Sequence, residues 1–197
     1  MTDTIFALST GAPPAAIAVV RVSGPRTGEG VKALAGRLPR PRLATLAALR
    51  SPATGEMLDR GLLLWFPGPG SATGEDLAEL HLHGGRSVVA AVLAELAAIE
   101  GLRPAEPGEF TRRAFENERM DLTEAEGLAD LLMAETESQR RAAVALAGGS
   151  LSRKVEDWQQ RLLALSAALG GAVDFADEGD VEEDLPPSWR CRLAAGF

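Results

Sequence analysis

The sequence predicts an α+β protein in two parts, and three observations support that class. Short apolar and β-branched runs bounded by Gly and Pro alternate with helix-patterned stretches up to about residue 120. Thr123, with Glu126 three residues later, has the form of a capping box at the start of a long helix-periodic run. Beyond it, apolar residues recur at helical spacing and no strand pattern returns. The interleaved part suits a compact α/β or α+β domain with a mixed sheet, and the remainder suits an incomplete helical bundle. The expected domains are residues 1–120 and 121–197.

In chain order, "TIFALS" (4–9) and "AAIAVVRVSG" (15–24) read as strands, and "TGEGVKALAGRL" (27–38) as a helix ending at Pro39. "RLATLAALR" (42–50) and "GLLLWF" (61–66) are further strand candidates, followed by the Pro/Gly loop "FPGPGSATGED" (66–76). "DLAELHLHGG" (76–85) alternates strictly. Ala78, Leu80 and Leu82 take one face, and Glu79, His81 and His83 the other. "RSVVAAVLAELAAIEG" (86–101) reads as a helix closed by Gly101. The run 124–149 reads as one helix, and a second carries Trp158, Leu162, Leu165, Leu169 and Val173 on a stripe. Two helices with one stripe each lack a partner. The stripe is expected to be mobile or covered by another surface.

With 197 residues, 46% hydrophobic and 24% charged, the composition is that of an ordinary globular chain with no Tyr. No apolar run approaches membrane-span length, and "MTDTIF" lacks the basic start of a secretory signal. The single cysteine, Cys191, excludes an internal disulfide framework and fits a reducing cytoplasm. A net charge of −8 argues against polyanion binding by the whole surface. Residues 1–60 nevertheless hold eight Lys and Arg against four acids, so any nucleic-acid contact would be local or made by a partner.

Glu79, His81 and His83 share a strand face, and His-x-His with a carboxylate is a spacing seen in zinc sites. With two His and one Cys in the chain, the face reads first as the polar side of a half-buried strand. An ionised Glu79 there only accepts hydrogen bonds, so it suits a ligand with paired N–H donors. Arg21 interrupts an apolar strand, where a charge is costly unless paired or facing a ligand. "HGGRS" offers backbone N–H groups before a helix but reads as a tight turn. Cys191 has no activating base nearby and reads as a free structural thiol. The acidic run "DFADEGDVEED" (174–184), followed by Pro186–Pro187, reads as a solvated linker. No G-x-x-x-x-G-K-[ST] segment occurs, so no P-loop is present in these residues.

"DTIFALST", "VVRVSG", "LLLWFPGPGSATGEDLAELHLHGG", "RPAEPGEFTRRAFENERMDLTEAEGLADLL" and "VDFADE" occur in the order and spacing of one family. In these stretches the chain resembles the tRNA modification GTPases MnmE, also called TrmE, to about residue 185.

The resemblance implies an N-terminal domain that binds a tetrahydrofolate derivative (5-formyl- or methylene-tetrahydrofolate), homodimerises and is aminomethyltransferase-like. It implies a helical domain into which a GTPase domain is inserted, and a partner, the FAD-dependent MnmG (GidA). Together these install an aminomethyl-type group on the wobble uridine of tRNA, in the cytoplasm and away from membranes. GTP, Mg and K belong to the GTPase domain, so no catalytic residue is expected here, and the chain is read as part of a longer protein.

Carried over by motif, the folate-contacting positions are Arg21 in "RVSG", Glu79 in "GEDLAEL" and Arg119 in "NERMDL". The family often has Lys at the place of Arg119, and a Gly-rich turn in place of "GAPPAA". The charged stretch 107–126 then reads as a domain junction: a short helix opened by Pro107, a loop delivering Arg119, and a cap for the next helix. Alternatives are a dimerisation scaffold without folate, or a metal site on Glu79, His81 and His83.

Overall fold

The computed structural model describes residues 3–174. Cys191, the acidic run beyond Asp174 and Pro186–Pro187 lie outside the described residues, as do the side chains of Leu169 and Val173. The chain divides into two compact units between Asp121 and Leu122.

The first unit is a six-stranded mixed sheet with three helices. Its strands are β1 (Thr4–Leu8), β2 (Ile17–Ser23), β3 (Thr45–Arg50), β4 (Met57–Phe66), β5 (Leu77–His83) and β6 (Leu102–Pro104). They lie in the order β3-β4-β5-β2-β1-β6, antiparallel except for the parallel β1–β6 pair. The helices are α1 (Thr27–Ala35), α2 (Arg86–Ala97) and α3 (Glu109–Glu116).

Alternation decides which face of the sheet is buried. Val20 and Val22 of β2, Leu80 and Leu82 of β5, Leu63 and Trp65 of β4 and Phe6 of β1 point into one core. That core is closed by Val31 and Leu34 of α1 and by Val89, Val92 and Leu96 of α2. The opposite face carries Arg21, Glu79 and His81, and only part of it is covered. Ile17 on that face is 60% exposed, and Leu46 and Leu62 are also exposed.

The expected strands and helices of this unit are present, with four main differences. Helix α1 stops at Ala35 and not at Pro39, because Gly36 takes a left-handed conformation there. Strand β4 begins at Met57, four residues before the apolar run, because Met57 to Arg60 continue the ladder with β3. Strand β6 was not expected; three residues are too few to show a period, and it exists by pairing with β1. Helix α2 stops at Ala97, short of Gly101.

The second unit consists of α4 (Leu122–Met133), α5 (Glu137–Ala147) and α6 (Ser150–Asp174). The single helix expected over 124–149 is therefore two. Thr136 leaves the helical conformation and caps α5: its Oγ1 accepts from the Gln139 N–H at 3.3 Å, while Gln139 Oε1 accepts from the Thr136 N–H at 2.9 Å. Thr123 lies inside the first turn of α4, so the capping box belongs to Thr136–Gln139 and not to Thr123–Glu126.

Gly127 lets α4 and α5 approach closely, since a Cβ there would stand 2.4 Å from the Ala147 backbone nitrogen. On α6, Leu151, Val155, Trp158 and Leu162 are exposed. Among the described residues, no helix is long and apolar enough to cross a membrane.

Helix α3 is held by buried charge. Arg113 and Glu109 are both inaccessible to solvent and paired at 3.1 Å. Arg113 also reaches Glu75 at 3.1 Å and Asp3 at 2.9 Å, and Glu109 accepts from Arg103 at 2.5 Å. The hydrogen bonds from Arg103 lower the Glu109 carboxyl most, burial pushes back, and the Glu106 N–H and Arg113 complete a net lowering to about 2.

In the unfolded chain a Glu titrates near ~4.3. The stabilisation is therefore complete above that value and is lost as pH falls toward the folded value. Acid titration of the thermal midpoint should show a fall in wild type below about pH 4. E109Q should be less stable at neutral pH by about 3–5 kcal/mol in urea unfolding, with a flatter acid limb. Equal neutral-pH stability of the two proteins would contradict a structural role for this cluster.

Candidate ligand site on the open sheet face

Strand register creates the site. Arg21 of β2 lies directly opposite Glu79 of β5, and His81 lies opposite Val19. Directly paired residues of an antiparallel ladder share a face, so two residues 58 positions apart become neighbours. Arg21 donates to Glu79 Oε1 through Nη2 at 2.7 Å and through Nε at 3.2 Å. His81 Nε2 lies 3.3 Å from Glu79 Oε2. On the β4 side, Leu64 stands opposite Glu79 and Leu62 opposite His81. Above Arg21 sits the Phe110 ring of α3, its centroid 5.9 Å from the guanidinium carbon, a cation–π distance.

Both members of the pair are half-buried, with side-chain exposures of 32% for Arg21 and 20% for Glu79, so a ligand can reach them. Burial alone would push the Glu79 carboxyl up, but the hydrogen bonds from Arg21 and His81 outweigh it and hold the carboxyl below its ordinary value. The site therefore presents an ionised acceptor flanked by a planar cation on an apolar floor.

His83 takes a separate partner. Its backbone N–H donates to Asp59 Oδ2 at 2.8 Å, and its Nδ1 lies 2.7 Å from Asp59 Oδ1. Burial would raise the Asp59 carboxyl, yet the bonds from His83 and the Arg60 backbone leave it lowered. Glu79, His81 and His83 thus share a face without converging on one point. Among the described residues, no three His, Cys, Asp or Glu side chains are placed to hold a metal ion.

Arg119 lies in the first unit, in the loop that follows α3. The Arg119 N–H donates to the Ala114 carbonyl at 2.8 Å, and Glu118 before it adopts a left-handed conformation, φ 56°. This turn rests on the β4–β5 loop. Asn117 Nδ2 donates to the Thr73 carbonyl at 2.8 Å. Gly74, at φ +78°, lies so close that a Cβ would stand 2.7 Å from Asn117 Cβ and 3.2 Å from Arg119 Cγ. Arg119 is exposed and is not part of the Arg21–Glu79 pair.

Sequence reasoning singled out Arg21, Glu79 and Arg119 but missed what supports them. Ser23 and Thr73 share a buried hydrogen bond at 2.7 Å, and Ser23 also donates to Glu75 at 2.8 Å, fixing the loop before β5. Glu109 and Arg113, two charges in a stretch that reads as surface, are buried, whereas Glu116 and Glu118 are exposed. The i,i+4 spacing of Glu109 and Arg113 was the available signal.

Removing Arg21 should reverse the balance at Glu79, since burial then lacks its main opponent. In R21A the Glu79 carboxyl should titrate above its wild-type value by carboxyl 13C NMR. An unchanged titration would mean that the pair is not formed in solution.

Comparisons with known proteins match both units. The family model described as "GTP-binding protein TrmE N-terminus" matches residues 4–119, and the one described as "MnmE helical domain" matches residues 122–195. A tRNA modification GTPase MnmE of Novosphingobium aromaticivorans is 65% identical over 181 residues, covering 92% of this chain and 41% of that protein. Its counterpart in Rhizorhabdus wittichii is 63% identical over 195 residues, 98% of this chain and 44% of that protein. A third, from Azorhizobium caulinodans, is 58% identical over 193 residues, again 98% of this chain and 44% of that protein. The chain thus spans less than half the length of the curated relatives it matches.

Proposed function

The chain belongs to the family of tRNA modification GTPases called MnmE or TrmE, and on that premise we propose that its first unit binds a tetrahydrofolate derivative. The observation that carries this reading is the Arg21–Glu79 pair on an open, apolar-floored sheet face. Folate has paired N–H donors on its pterin and carboxylates on its glutamate tail. An ionised Glu79 fits the donors, and the guanidinium groups of Arg21 and Arg119 fit anionic or polar parts of the molecule. When bound, the cofactor carries the one-carbon unit; these residues bind and orient it. The ligand is 5-formyl- or methylene-tetrahydrofolate.

The same unit, residues 1–120, is the homodimerisation module. Exposed Ile17, Leu46 and Leu62 on the open face support this, because apolar groups beside a ligand site are stabilised by a covering surface. Residues 121–197 are the first part of the helical domain. In the whole cytoplasmic protein, acting with MnmG (GidA), the product is an aminomethyl-type modification of the tRNA wobble uridine. GTP hydrolysis, with its Mg and K ions, is assigned to a domain whose P-loop motif does not occur in these residues.

Isothermal titration with 5-formyltetrahydrofolate tests the site. The wild-type chain should bind, and E79A should lose measurable binding. Failure of the wild-type chain to bind would leave a dimerisation scaffold as the function of this unit. Undiminished binding by E79A would remove Glu79 from the site.

A further inference from the structure

Glu79 has little acceptor capacity to spare. An ionised carboxylate offers about four acceptor positions. Arg21 occupies two of them, both on Oε1, through Nη2 at 2.7 Å and Nε at 3.2 Å. His81 occupies one on Oε2. The position left over is also on Oε2, beside the His81 ring.

Both Arg21 bonds fall on Oε1, so they do not themselves hold Oε2. The contact from His81 does. Across the sheet, the residues directly opposite His81 on the two flanking strands are the apolar Leu62 and Val19.

We infer that His81 is a positioning residue for ligand recognition: its Nε2–H holds Glu79 Oε2 and so sets the direction of the carboxylate's last acceptor position. This rests on the folate reading of the site and adds a residue to it. Donation from Nε2 places the lone pair of a neutral ring on Nδ1. The requirement is therefore for a donor at the reach of Nε2, and not for a ring or a base. Glutamine meets it, since its amide nitrogen lies about as far from Cβ as histidine Nε2; leucine fills the space without a donor.

The test is titration of the wild-type chain, H81Q and H81L with 5-formyltetrahydrofolate, together with their thermal midpoints. H81L should weaken binding about tenfold, the effect of losing one hydrogen bond to a charged group. H81Q should bind within about threefold of wild type, because the donor is restored. The thermal midpoints of H81Q and H81L should agree, so that the binding loss is not a folding effect.

Wild-type binding with H81L undiminished overturns the inference and leaves the folate reading standing. H81Q as weak as H81L also overturns it, since the ring and not the donor would then matter. Absence of binding by the wild-type chain removes the folate reading and the inference together.

Discussion

Arg113 is the residue on which the first unit turns. It is inaccessible to solvent, yet it binds three separate pieces of chain. Through Nη1 it donates to the Asp3 carbonyl at 3.0 Å and to both oxygens of Glu75, and through Nη2 to the Asp3 carboxylate at 2.9 Å and to Glu109 at 3.1 Å. A buried guanidinium is tolerable only when its donors are satisfied by charge, and removing one partner leaves an uncompensated ion. Its Nε alone has no hydrogen-bond partner among the described residues. The start of the chain, the β4–β5 loop and α3 are thus committed to one geometry. That geometry puts Phe110 over Arg21 and sets the turn bearing Arg119 against Gly74.

The sheet divides its labour by face. One face spends its side chains on a packed core with α1 and α2, which supplies the hydrophobic stabilisation. The other keeps a half-buried ion pair among leucines and valines, an arrangement with no clear benefit to stability alone. Holding charges partly desolvated does strengthen their interaction with an incoming polar ligand, because little water is left to screen them. The rigid core on one side and the Arg113 cluster at the end of the sheet let that pair stay fixed on a small surface.

Much of this was legible in the sequence, for identifiable reasons. The alternation of Glu79, His81 and His83 against Ala78, Leu80 and Leu82 assigned faces correctly, because a period of two is unambiguous in a half-buried strand. Arg21 stood out as a charge in an apolar run, and Glu79 as an acid on the polar face of an alternating strand. Their pairing did not, since it depends on strand register across 58 residues. The break between α4 and α5 was hidden by the lack of Gly or Pro, although Thr136-x-x-Gln139 carries the capping signature as clearly as Thr123-x-x-Glu126 does. Buried Glu109 and Arg113 were hidden among exposed charges of the same stretch, because a sequence records charge and not its solvation.

The central claim is that the ligand contacts the open face of the sheet at Arg21 and Glu79. Chemical-shift mapping on the 15N-labelled chain during addition of 5-formyltetrahydrofolate addresses it directly. The account predicts perturbations concentrated at residues 19–23, 77–83 and 117–119. Perturbations centred instead on the groove between α1 and β3, around Arg37 and Arg50, would contradict it.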